Sequence, residues 1–283
     1  MSFKFKYAFN TWCYSSFPVW VPSYTMEDTI KRIARAGYDG IEIGCAAPHA
    51  WPAYLNPQRR KDLRKLMADH NLPCVSMLPA PGGGPGNNVA SPMVEERTAT
   101  IAHYKEVIDL AHDFGASRVI YIAGWRVFGT PLQQAWDWTL AALKDIGHYA
   151  ADKGVTICIE NTASDSNLID TVGQSLMLRG QVGLDNVQLM IDTIHAHYRN
   201  EVSSDQVYEI GGKHLKHVHF ADANRMPPGE GVIDWVGVMQ SLKDIDFDGY
   251  CTMEIGFNMR GVEPDRYARS ALAYVKSIEK QVK

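Results

Sequence analysis

No CxxC pair occurs in this chain, and its five cysteines (Cys13, Cys45, Cys74, Cys158 and Cys251) are odd in number and far apart. That spacing excludes a disulfide framework and a thiolate zinc site, so the thiols are expected to be reduced. Positive charge is not in excess either: a formal net charge of −4 gives no general attraction to nucleic acid or anionic lipid. No apolar run approaches membrane-spanning length, and the opening MSFKFKYAFNTW lacks the continuous apolar core of a secretion signal. A cytoplasmic protein with neither a nucleic-acid nor a membrane partner is expected. The first strand-to-helix turn also lacks the GxGxxG that a dinucleotide fold would place there.

What the chain does have is regular alternation. Apolar residues make up 46% and charged residues 21% of its 283 residues, which suits an ordinary globular protein with a sizeable core. Short β-rich runs (KYAFNTW, DGIEIG, CVSMLP, RVIYIAG, VTICIEN, VQLMID, LKHVHF, GYCTMEI) each precede an amphipathic stretch. Helix signals fit the gaps: Thr25 with Asp28 and a stop at Gly37, starts at Pro57, Pro92, Thr130-Pro131 and Val172, one near Asp205, a cap at Asp234, and a start at Pro264. Nearly continuous apolar strands, each separated from the next by a helix, belong to a parallel sheet covered on both faces. Eight such units without a linker predict an α/β fold, one (β/α)8 TIM barrel spanning residues 1–283. The glycine-rich PAPGGGPGNN after the third strand is read as a mobile loop over the barrel mouth.

A barrel of this kind carries its chemistry at the C-terminal ends of the strands. Four consecutive runs end in groups that apolar surroundings would solvate poorly: Glu160 in ICIEN, Asp192 in LMIDTIH, His219 in HVHF and Glu254 in TMEI. Three acids and one imidazole at adjacent strand ends form a site for one divalent cation. The oxygen-rich set favours Mn²⁺, with Mg²⁺ or Co²⁺ as alternatives, over a closed structural zinc. His217 shares a face with His219 but lies one layer deeper, as a packed barrel histidine. His195, three residues past Asp192, is expected to contact substrate at the rim; His70, His103, His112 and His148 fall in predicted helices and are assigned to surface or packing roles.

The stretches IDTIH, HFADANRMPPGEGVIDW and DGYCTMEI, and more weakly YDGIEIG and PHAW, resemble the xylose-isomerase-like barrels, and most closely the ketose 3-epimerases of the D-tagatose and fructoselysine type. The resemblance covers nearly the whole chain. It implies that Glu160, Asp192, His219 and Glu254 hold the metal, that Glu160 and Glu254 form the catalytic acid/base pair, and that His195 and Arg225 hold substrate oxygens beside an aromatic wall at Trp125. Where the family often carries a second glutamate six residues after the strand-five ligand, this chain has Ser166, with Asp165 one residue earlier as the candidate substrate contact. Arg225 would be presented by the loop ANRMPPGEG, stiffened by its prolines and glycines and tied down by Glu230. Trp12 and Trp51 are equally suited to packing and to the pocket wall.

The expected reaction is inversion of C3 in a keto-sugar or keto-sugar derivative: the metal acts as a Lewis acid toward an enediolate while the two glutamates exchange protons with opposite faces of one carbon. The same machinery serves an aldose-ketose isomerase, or a lyase that opens 3-keto-glycosides by β-elimination with or without a small second subunit. An endonuclease IV type nuclease would want histidines at the ends of strands three and four, which read MLPAPG and YIAGWR instead. A non-catalytic sugar-binding protein has no reason to oppose two glutamates across a metal. By analogy with its relatives the chain is expected to be a homo-oligomer acting on a small keto-sugar or glycoside.

Overall fold

A strand buried on both faces sorts its side chains by parity, and that sorting organises this molecule. The computed structural model describes residues 3–15, 23–47, 49–80, 88–257 and 261–283. Eight strands, β1 (Tyr7–Asn10), β2 (Gly40–Cys45), β3 (Cys74–Pro79), β4 (Arg118–Ile122), β5 (Thr156–Glu160), β6 (Val187–Asp192), β7 (Leu215–Phe220) and β8 (Cys251–Met253), close into a barrel in chain order. Every neighbouring pair is parallel, and Tyr7 opposite Cys251 seals β1 to β8. The expected (β/α)8 barrel is the observed fold.

Nine helices among the described residues surround the strands: α1 (Met26–Ala36), α2 (Pro57–Asp69), α3 (Val94–Phe114), α4 (Leu132–Asp152), α5 (Val172–Val182), α6 (Thr193–Tyr198), α7 (Ser203–His214), α8 (Trp235–Asp244) and α9 (Pro264–Glu279). Eight are those the sequence signals place. The extra one, α6, is six residues long and starts on Asp192, whose Oδ1 accepts the Ile194 N–H at 3.0 Å. Caps set the other boundaries: Thr25 accepts the Asp28 N–H and Gly37 ends α1 at φ 91°, while Thr171 and Gln174 form a reciprocal capping box on α5.

Alternate strand residues fall into separate cores. Met77, Val119, Tyr121, Ile157, Ile159, Leu189 and Ile191 join the large apolar cluster shared with the helices. The residues between them, Leu78, Ile120, Cys158 and Met190, form a smaller cluster with Trp12, Ala46 and Ala80, against which Trp51 and Phe257 pack. The same inward parity carries Glu42, Ser76, Glu160, Asp192, His217, His219 and Thr252, all buried. The barrel interior therefore holds an apolar cluster and, beside it, a densely polar one. Most of the glycine-rich stretch after β3, residues 81–87, lies outside the described residues, as does Pro48 of PHAW.

Candidate active site

Four inward positions at the ends of β5 to β8 converge. Glu160 is the last residue of β5, Asp192 the last of β6, His219 the penultimate of β7, and Glu254 follows β8 directly, its N–H still on the Phe220 carbonyl. One ligand atom from each lies within 4.8 Å of the others, and all four side chains are buried. His219 Nδ1 faces this group, 3.1 Å from Glu254 Oε2, 3.4 Å from Glu160 Oε1 and 3.9 Å from Asp192 Oδ2.

A cation fits this set on two counts. Among the described residues, neither His219 Nδ1 nor Glu160 Oε1 has a hydrogen-bond partner, although both are buried. Three buried carboxylates also outnumber the one guanidinium that reaches them, that of Arg225, leaving negative charge that a hard divalent ion would neutralise. The protein's own groups respond to that crowding. Burial pushes the Glu160 carboxyl up to about 7, against the pull of His219 and with the push of Glu254 and Asp192. Burial also raises Glu254, but the Arg225 guanidinium and His219 outweigh it and hold this carboxyl below its ordinary value. Two glutamates on one cluster thus prefer opposite protonation states.

Arg225 reaches the cluster from the loop after β7. Its Nη1 donates to Asp192 Oδ2 and, at 2.6 Å, to Glu254 Oε2, and the guanidinium lies 5.3 Å from the centre of the Phe257 ring. Backbone strain accompanies the reach: Asn224 and Arg225 both sit in the left-handed region, at φ 57° and 59°. The residue that ties the loop down is Asp222, not Glu230, which is exposed. Asp222 is fully buried; its Oδ1 accepts the N–H groups of Ala223, Val232 and Ile233, and its Oδ2 those of Gly229 and the Trp235 indole. A carboxylate at the root of the loop satisfies both ends of it, whereas Glu230 sits at its solvent side.

His195 occupies α6, with Nδ1 3.0 Å from Ser164 Oγ and Nε2 3.9 Å from Asp192 Oδ2 and 4.0 Å from Asp165 Oδ2. Burial holds His195 down at about 3, hence neutral at pH 7. Ser166 donates to the Gly124 carbonyl and accepts the Leu168 N–H, so it shapes the loop after β5. Trp125 is half-buried and clamped through its backbone, its N–H donating to Asn88 Oδ1 and its carbonyl accepting from Asn88 Nδ2, both at 3.1 Å. Trp12 is buried with its ring edge-on to Phe257, and Trp51 stacks on His103 at 4.7 Å.

Sequence reasoning missed Glu42. This buried carboxylate in β2 lies 2.8 Å from His217 Nε2 and 2.9 Å from His219 Nε2, and accepts from Asn10 Nδ2 at 2.7 Å and Ser76 Oγ at 2.6 Å. The signal was present: DGIEIG places an acid inside an apolar strand just as ICIEN does.

A closed parallel barrel with three acids and a histidine at adjacent strand ends, a group that could hold one metal ion, defines the class of protein. The chain belongs to the xylose isomerase-like TIM barrel family, whose profile matches residues 30–278. It is 26% identical over 259 residues to a fructoselysine 3-epimerase of Escherichia coli O157:H7, covering 89% of this chain and 93% of that one. An L-ribulose 3-epimerase of Methylomonas sp. is 28% identical over 257 residues, covering 87% and 84%. Among solved structures, a D-psicose 3-epimerase of Clostridium cellulolyticum H10 with D-tagatose superimposes with a TM-score of 0.80 at 19% identity, over 96% of this chain and 99% of that one. No helix among the described residues is long and apolar enough to cross a membrane.

Proposed function

We propose that this enzyme is a divalent-metal-dependent sugar epimerase that inverts C3 of a keto-sugar or keto-sugar derivative. The observation that carries the reading is geometric: Glu160 and Glu254 are brought together with Asp192 and His219 in one buried four-residue cluster at the strand ends. Curated relatives that act as sugar epimerases supply the substrate class.

Glu160, Asp192, His219 and Glu254 would hold the ion, with Mn²⁺ the best match to an oxygen-rich set. When bound, that ion supplies Lewis-acid stabilisation of negative charge on a substrate carbonyl and its neighbouring hydroxyl. The chain's own residues move the proton. One glutamate takes hydrogen from the carbon beside the carbonyl as a proton, leaving the C–H electron pair in the substrate. The other glutamate delivers a proton to the opposite face of that carbon, and the two exchange roles for the reverse direction. His195, neutral through burial, and Arg225 border the cluster and are assigned to substrate oxygens, with Asp165 and Trp125 on the rim. The apolar cluster of Trp12, Leu78 and Ile120, with Phe257 packed against it, would limit the access of water to the reacting carbon. That same apolar wall supports a second reading, in which the ketone belongs to a 3-keto-glycoside whose aglycone lies along it.

Proton NMR of the Mn²⁺-treated protein in D₂O, with free ketohexoses and 3-keto-glycosides as substrates followed through their products, tests both. Deuterium at C3 with a new epimer is expected, and Glu160→Gln should abolish the exchange while the barrel stays folded. Exchange that survives the substitution removes Glu160 from the mechanism. Aglycone release would move the protein to the lyases.

A further inference from the structure

His219 has two ring nitrogens and two different neighbourhoods. Nδ1 faces Glu160, Asp192 and Glu254; Nε2 faces Glu42, hydrogen-bonded to its Oε2 at 3.2 Å and 2.9 Å from its Oε1. The cluster around Nδ1 is the cation site of the reading given above, on which the present inference rests.

We propose that Glu42 is the positioning residue of that site: it fixes the proton of His219 on Nε2 and thereby presents the Nδ1 lone pair to the cation.

The reasoning is one of proton accounting. A neutral imidazole carries one N–H, and the nitrogen without it is the ligand. Carboxylates face both ring nitrogens, Nδ1 3.1 Å from Glu254 Oε2 and Nε2 2.9 Å from Glu42 Oε1, so once a cation takes the Nδ1 lone pair the single hydrogen belongs on Nε2, where Glu42 accepts it. The opposite tautomer would set a lone pair of Nε2 against a carboxylate and an N–H against the incoming cation, two repulsive contacts between fully buried groups. Glu42 is itself held still, by Asn10 Nδ2 at 2.7 Å on Oε1 and Ser76 Oγ at 2.6 Å on Oε2, and it is fully buried. The imidazole plane is fixed from behind in the same way: the His217 ring stands edge-on to it, at 83° and 5.1 Å between centres.

Glu42, His217 and His219 also bring ligand atoms within 4.8 Å of one another, which raises the alternative of a second cation site. The hydrogen bonding of Glu42 opposes it. Here the His217 and His219 nitrogens lie 2.8 and 2.9 Å from Glu42 oxygens, and Asn10 and Ser76 already fill those oxygens. Glu42 with Asn10, Ser76 and His219 is a hydrogen-bonded brace.

The test is Mn²⁺ binding by calorimetry, with electron spin-echo modulation reporting an imidazole nitrogen on the bound ion. Glu42→Gln keeps the shape but offers an amide N–H toward Nε2. It is expected to lower Mn²⁺ affinity about 10- to 100-fold and weaken the imidazole signal, while the metal-free protein melts within about 5 °C of wild type. Asp192→Asn, which removes a direct ligand and leaves the brace, should lose affinity yet keep the imidazole signal on whatever ion binds. A folded Glu42→Gln protein that binds Mn²⁺ within twofold of wild type with an unchanged imidazole signal overturns the inference and leaves the metal site standing. Wild type that takes up no Mn²⁺ overturns the metal reading and this inference with it. Should Glu42→Gln not fold, Ser76→Ala, which frees one carboxylate oxygen, is expected to cost roughly threefold to tenfold in affinity, and no change there overturns the inference equally.

Discussion

The indole N–H of Trp235 donates to Asp222 Oδ2 at 2.8 Å, so the residue that opens α8 and the residue that follows β7 by two positions are joined across the base of the Arg225 loop. Asp222→Ala leaves the donors of Ala223, Gly229, Val232, Ile233 and Trp235 without their acceptor. Buried donors stranded in this way cost about 1–3 kcal/mol each where water cannot replace the partner. The expected outcome is a loss of about 3–5 kcal/mol in denaturant unfolding, with a fall in kcat as Arg225 loses its seat. Gly231→Ala should behave as a milder copy, since an added Cβ would lie 2.1 Å from Asp222 Oδ1. Wild-type stability in both variants would sink the claim that this carboxylate organises the loop.

Gly44 is the seat of Trp12. A Cβ there would fall 1.8 Å from the indole Nε1, so Gly44→Ala must swing the tryptophan out of its apolar cluster. If that wall receives part of the substrate, KM should rise about tenfold, with a smaller change in metal affinity. Steady-state kinetics beside a Mn²⁺ titration separates the two.

Cation binding should show as stability. At a free Mn²⁺ concentration 100 times its Kd, the native state gains about 2.7 kcal/mol, and chelation removes it. Thermal melts across a Mn²⁺ series check this, and the dependence should vanish in a variant with Glu160, Asp192 and Glu254 all changed to their amides.

His103 carries the acid sensitivity expected of a buried neutral imidazole. It stacks on Trp51, both its ring nitrogens lack a hydrogen-bond partner among the described residues, and burial lowers it from 6.5 to about 4. Between these two values the unfolded chain holds the proton and the folded one does not. The contribution is therefore complete above about pH 6.5 and is lost as pH falls toward 4. Its size is of order 3 kcal/mol, at about 1.4 kcal/mol per pH unit. Melting temperature against pH should fall through this window, where His49 and His217, lowered to about 4, and His195, lowered to about 3, also titrate, and His103→Phe, which keeps the stack, should make that limb shallower by its own share.

The architecture was legible because the chain repeats one local rule eight times. CVSMLP and LKHVHF coincide with β3 and β7, and Asp234 and Pro264 open α8 and α9 as their chemistry dictates. The four strand-end groups were legible for the same reason: an ionisable residue at the end of an apolar run has few physical explanations. What escaped was pairing across the barrel. Nothing local in DGIEIG says that Glu42 meets His219, because that contact depends on the register of β2 against strands far away in sequence. The loop anchor escaped too. Glu230 and Asp222 are equally acidic on paper, and only the turn of the backbone through Asn224 and Arg225 decides which one points inward.

The Glu42 to His219 contact joins residues 177 positions apart, on strands that become neighbours of one interior only when the barrel closes. Local helices form early in folding and distant pairings late. The Glu42 brace is therefore expected to form late in assembly, whereas the four-residue cluster lies on the consecutive strands β5 to β8; if it takes Mn²⁺ as proposed, a chain with an open barrel would bind the ion only weakly. In a refolding experiment, the gain of full affinity for the proposed ion would then report closure of the barrel, lagging behind the helical signal.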